Sequence, residues 1–177
     1  KGEFNLPGVK VISLGKEEGV SRLTYLFRFY GYIWRERKNY NAVFVHMNQE
    51  YVLLGWKSWM LLGKKIYLWR NHAKGNWLTY LAVFMSKKVF YTSPYSFTAR
   101  FKKSVKMPVG IDTEFFKPDP NIAREKNSVL CLGRISPVKK VLEVINWVKG
   151  NNFTATIAGP ILLRDKEYGE EVIKRKK

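Results

Sequence analysis

Four side chains stand where a strand-like run gives way to a turn. His46 closes Ala42-Val43-Phe44-Val45-His46, His72 follows Lys65 to Arg70, and Arg134 and Lys139 follow the run Ser128 to Gly133. Open parallel sheets bind their ligands outside the carboxyl ends of the strands, so imidazoles and cations at such places can hold a polar or anionic group. The small neighbours Ala73 and Gly75 favour that role for His72 over a loop histidine satisfied by backbone. His46 can equally pack beneath a neighbouring loop. Arg134 and Lys139 compete with the plainer reading of ordinary surface charge, because the chain is rich in it.

That richness narrows the partners. Thirty-two Lys and Arg against 14 Asp and Glu give a formal net charge of +18 over 177 residues, which attracts phosphate-rich partners. Nucleic acid, anionic lipid and sugar diphosphates all qualify. Cys131 is the single cysteine, so an internal disulfide is excluded and a reducing compartment, the cytoplasm, is the default. With two histidines besides, a Cys/His zinc site is not expected, and no metal is assigned. No run reaches the roughly 20 apolar residues of a membrane-spanning helix. The opening Lys1-Gly2-Glu3-Phe4 is neither an initiator methionine nor a signal peptide, and the expectation is a chain that begins inside a longer reading frame.

The elements that would position the four side chains follow from periodicity. Strands are expected at 9–14, 42–47, 65–70, 88–93, 128–133 and 153–159. Helices are expected at 20–38, 49–62, 76–86, 94–103 and 137–149. Alternating strands and helices predict an α/β fold, a Rossmann-like parallel sheet with helices on both faces. The stretch Pro108 to Asn127 has three prolines and no sustained period, and reads as a linker. Gly110 reads as a backbone requirement there, and Asp112 as a cap or tie.

The phrases Pro108-Val109-Gly110-Ile111-Asp112 and Phe116-Lys117-Pro118, followed by Gly133-Arg134 and then Lys139-Lys140, resemble the centre of glycosyltransferase family 4. Lys140 stands where that family usually has glycine. Ala155 to Pro160, Asn41 to His46, Arg70-Asn71-His72 and the serine turn Ser93-Pro94-Tyr95-Ser96-Phe97 continue the resemblance over about residues 9–160. The resemblance implies the two-lobed GT-B fold. Residues 1–108 would be the acceptor-side lobe, 109–127 the interdomain linker and 128–177 the start of the donor-side lobe, with the fold incomplete at both ends.

It also implies a retaining transfer from a nucleoside diphosphate sugar to a glycan or lipid-linked acceptor, in polysaccharide biosynthesis or the like. No cofactor and no metal are required by that design. Arg134 and Lys139 would bind the donor diphosphate and His72 would face the sugar, with His46, Ser93, Gly110, Asp112 and Gly133 as further candidates. The family's opening strand and glycine-rich loop, and its E-x7-E motif, have no counterpart, and Asp165, Glu167, Glu170 and Glu171 read as a solvated helix face. The expectation is a chain inactive by itself.

The segment 22–38 mixes aromatic residues with Arg22, Arg28, Arg35, Arg37 and Lys38. It fits either the surface of an anionic membrane, with a peripheral location on the inner face of the cell membrane, or a buried crossover helix with a basic end. Two other functions compete with the transferase: a basic nucleic-acid-binding module, disfavoured because no such motif occurs, and a non-catalytic scaffold derived from a transferase.

Overall fold

A computed structural model describes residues 7–123 and 125–175. The chain forms two compact units, Lys1–Ile111 and Asp112–Lys177, each with its own parallel sheet and core.

In the first unit the elements run α1 (Arg22–Arg35), β1 (Ala42–His46), α2 (Gln49–Leu61), β2 (Lys65–Trp69), α3 (Trp77–Met85), β3 (Lys88–Tyr91) and β4 (Ser104–Lys106). The strands are all parallel and neighbour one another in chain order. Period-2 alternation turns Val43, Val45, Ile66, Leu68 and Val89 to one face, where they pack with Val52 and Trp59 of α2 and Ala82 and Val83 of α3. Crossovers stepping one way along the sheet place α2 and α3 side by side on that face. The other face carries rings: Phe44 and Tyr67 lie 6.0 and 6.2 Å from Phe90. Local chemistry fixes the helix ends. The Ser21 hydroxyl accepts the Thr24 N–H at 3.2 Å, and Asn76 with Thr79 forms a reciprocal capping box. Lys103 Nζ donates to the carbonyls of Val83, Phe84 and Ser86, closing the end of α3.

The second unit pairs β5 (Ser128–Leu132) with β6 (Thr154–Ala158) in parallel, joined through α4 (Val141–Gly150) and followed by α5 (Lys166–Lys174). Ile135, Val141, Ile145 and Val172 form its core. The expected α/β class with parallel sheets is what the chain adopts.

Two expected elements are absent. Residues 9–14 form no strand: Val9 and Val11 are exposed and no ladder reaches them. A strand needs a neighbour for its N–H and C=O groups, and here the segment is held by a side chain, Lys10 Nζ on Glu36 at 2.8 Å. The helix expected at 94–103 is a single 3-10 turn, Phe97–Arg100, before β4. Ser96 and Thr98 turn inward and donate their hydroxyls to the Arg70 carbonyl at 3.1 and 2.7 Å, which competes with helical hydrogen bonding.

The Lys10 contact makes a pH prediction. Hydrogen bonds from Lys10 and Asn39, with Arg35 nearby, hold the Glu36 carboxyl down from an ordinary 4.5 to about 2. A depressed folded value means stability that is fully present above the unfolded value and lost as pH falls towards the folded one. Acid titration of the wild type between about pH 4.5 and 2 is therefore expected to be steeper than that of Glu36→Gln. Identical slopes in urea midpoints measured across that window would contradict the assignment.

Candidate active site

The carboxyl ends of β1, β2 and β3 lie along one edge of the first sheet, as parallel strands require. There the His46 ring packs on Trp69 with centroids 4.4 Å apart. Met47, with φ 64°, donates its N–H to the Trp69 carbonyl, and its sulfur accepts the Asn71 N–H at 3.4 Å. His72 is exposed. Its Nδ1 lies 3.2 Å from both the N–H and the carbonyl of Lys74, so the loop backbone occupies Nδ1. The His72 carbonyl accepts the Phe97 N–H at 2.8 Å.

Two residues that the sequence analysis quoted beside His72 without giving them a role organise this edge. Asn71 Oδ1 accepts the N–H groups of Thr92 and Ser93 at 3.2 and 2.8 Å, joining the β2 and β3 loops. Arg70 donates Nη2 to the Lys74 carbonyl at 2.9 Å, bracing the loop that carries His72. Burial lowers the pKa of the Arg70 guanidinium, with Glu50 opposing the shift. The one available signal was position: both directly precede His72. Ser93 enters through its backbone and through its hydroxyl, which accepts the Tyr95 N–H. Buried side-chain polar atoms normally have partners, yet Gln49 Oε1, Trp69 Nε1, Arg70 Nη1 and Thr92 Oγ1, all on residues at this edge, have none among the described residues.

In the second unit, the chain leaves β5 and β6 through two glycines that touch. Gly133 (φ 148°) donates its N–H to the Ala158 carbonyl at 2.9 Å, and a Cβ on Gly159 (φ 156°) would stand 1.8 Å from the Gly133 carbonyl oxygen. Arg134 follows, exposed. Lys139 ends the 3-10 turn Pro137–Lys139, and its Cε lies 4.0 Å from where a Gly133 Cβ would be. Arg134 and Lys139 thus both adjoin Gly133, and among the described residues neither forms an ion pair. Lys139 was expected at the helix start; it lies in the turn before, and Lys140 is the N-cap of α4.

Lys140 takes φ 53°, ψ 37°, the left-handed conformation that glycine adopts without cost. At Lys140 the backbone therefore has the shape that a glycine would favour. Lys140→Gly is expected to stabilise the second unit by about 0.5–1 kcal/mol. Amide hydrogen exchange of β5 and β6 across a urea series reads it, and a lowered midpoint would argue against strain at this residue.

Gly110 departs from its expected role. It has no positive φ, and a Cβ there would meet open space, so no conformational demand for glycine exists. Asp112 does act as a tie: its Oδ1 accepts the N–H groups of Glu114 and Phe115 at 3.1 and 3.0 Å. Among the described residues no cluster of His, Cys, Asp or Glu could hold a metal ion. A cavity of about 540 Å³ in the second unit is lined by Ile135, Ile145, Val148, Ile157 and Val172, with Lys149 and Arg175 also on its wall.

Comparison with known proteins adds little to this geometry. MurG from Acinetobacter baumannii has a similar solved structure, with 15% sequence identity and a TM-score of 0.47, covering 94% of this chain and 45% of that one. This chain thus spans less than half the length of that structure. The likeness is too distant to carry residue roles. No family model matches, and no curated protein does.

Proposed function

We propose that the chain is part of a retaining glycosyltransferase of the family 4 kind, cytoplasmic, moving a sugar from a nucleoside diphosphate to a glycan or lipid-linked acceptor. The reading rests on the motif resemblance, and one observation carries it physically: Arg134 and Lys139 flank a bare glycine at a strand end, immediately before a helix. Arg134 supplies a planar fork for two phosphate oxygens and Lys139 a mobile point charge. As the bond from sugar to diphosphate breaks, negative charge grows on the leaving group, and cations already in place lower the barrier. His72 faces the sugar in this reading, with its outward Nε2 left available by the Lys74 contacts at Nδ1.

The test is calorimetric titration of the full chain with uridine and guanosine diphosphate sugars. Saturable binding of one of them is expected, weakened about 10- to 100-fold by Arg134→Ala, the range for losing charge-assisted hydrogen bonds to phosphate. Binding indifferent to Arg134→Ala and Lys139→Ala together would refute the assignment. Salt-sensitive binding to a generic oligonucleotide, with none to either sugar nucleotide, would favour the nucleic-acid module instead.

A further inference from the structure

Helix α1 carries two apolar faces. One face is buried: Phe29 and Ile33 enter the core, with the Phe29 ring 5.9 Å from Trp59. A second face is an apolar stripe in solvent. Leu23, Phe27, Tyr30 and Trp34, spaced i, i+4, i+7, i+11, are 68, 76, 36 and 44% exposed. The stripe meets α2, where the Tyr30 hydroxyl donates to the Leu54 carbonyl at 3.0 Å, and Leu54, Lys57 and Leu61 share a helix face there.

The charge around this surface is predominantly positive, and Glu18 just before α1 is paired with Arg28. At about 100° per residue, Arg22 and Arg35 fall on opposite sides of the stripe, and Arg37 Nη1 donates to the Trp34 carbonyl at its end. Between Arg22 and Lys106 the sequence has two acidic residues, Glu36 and Glu50, and Glu36 is already engaged by Lys10 and Arg35. No helix among the described residues is long and apolar enough to cross a membrane.

We propose that the α1 stripe, with the adjoining Leu54–Leu61 face of α2, docks on the surface of an anionic lipid bilayer. Aromatic and leucine side chains enter the headgroup boundary, and the arginines on either side meet the anionic headgroups. Charge complementarity favours this occupant over a second copy of the chain, which would bring an equally basic rim against it. The inference stands apart from the transferase reading, since it uses none of the strand-end residues.

Flotation of the full chain with vesicles of phosphatidylcholine alone, or mixed with about a third phosphatidylglycerol, tests it. Binding is expected only to the mixed vesicles, falling as salt is raised. Phe27→Ser with Trp34→Ser is expected to weaken that binding at least about tenfold, with far-UV circular dichroism unchanged because both side chains are on the surface. Arg22→Glu with Arg35→Glu, which leaves the apolar stripe intact, is expected to do the same. Equal binding to neutral vesicles would overturn the proposal, as would anionic binding that survives both double variants. A concentration-dependent dimer in sedimentation, abolished by Phe27→Ser, would overturn it in favour of a second copy.

Discussion

Replacing Gly159 by alanine is expected to cost the second unit about 3 kcal/mol or more, because two independent penalties fall on one methyl group. The new Cβ would stand 1.8 Å from the Gly133 carbonyl oxygen and 2.5 Å from its carbon. Those are backbone atoms, which cannot rotate aside. The φ of 156° adds conformational strain of its own. Relief requires β5 and β6 to part just where Gly133 N–H meets the Ala158 carbonyl and Ile135 N–H meets the Pro160 carbonyl. Amide hydrogen exchange of Gly133 and Ile135 is therefore expected to accelerate strongly in Gly159→Ala. Wild-type protection at both amides would mean that the strand ends have room that this packing denies.

Trp59→Ala is the corresponding change in the first unit, with an expected loss of about 3–5 kcal/mol, a large share of a domain's total stability. The indole is almost fully buried, meets Phe29 edge-on at 81°, and interacts with Tyr40. It also explains Gly55: a Cβ there would lie 2.4 Å from the Trp59 ring. The two substitutions are therefore expected to couple with a change of sign. Gly55→Ala alone overpacks the site and destabilises. In the Trp59→Ala background the clash is gone, and the helix propensity of alanine favours it by about 1 kcal/mol. Urea denaturation of the four proteins measures the cycle, and additive effects would show that the ring and the glycine do not share the space.

The strands and helices of both cores were legible because alternation and helical spacing are local. Val43, Val45, Ile66, Leu68 and Val89 announce their shared face directly, and the Asn76–Thr79 cap follows from residue type. What failed to show depended on partners distant in sequence. Val9 to Leu14 is rich in apolar and β-branched residues like a strand, but a strand exists only beside another. Ser96 and Thr98 fit a helix until the Arg70 carbonyl, 26 and 28 residues earlier, claims their hydroxyls. The candidate site divides the same way. Arg134 and Lys139 were visible as cations after a strand, whereas the brace from Arg70 to Lys74 and the tie from Asn71 to Thr92 and Ser93 required the fold. Gly110 is the reverse case, a glycine whose surroundings make no demand for one.

The strand order of the first unit also bears on how the protein comes to be folded. Because β1, β2, β3 and β4 are neighbours in the sheet in the order in which they occur in the chain, no strand must wait for a later one to be inserted beside it. Each crossover closes a short loop, so the entropy lost per step is modest and contacts stay local for a parallel sheet. Growth from β1 outwards matches the direction of synthesis. A nascent chain can bury Val45, Leu68 and Val89 in turn, limiting the time for which the apolar face stands open to other chains.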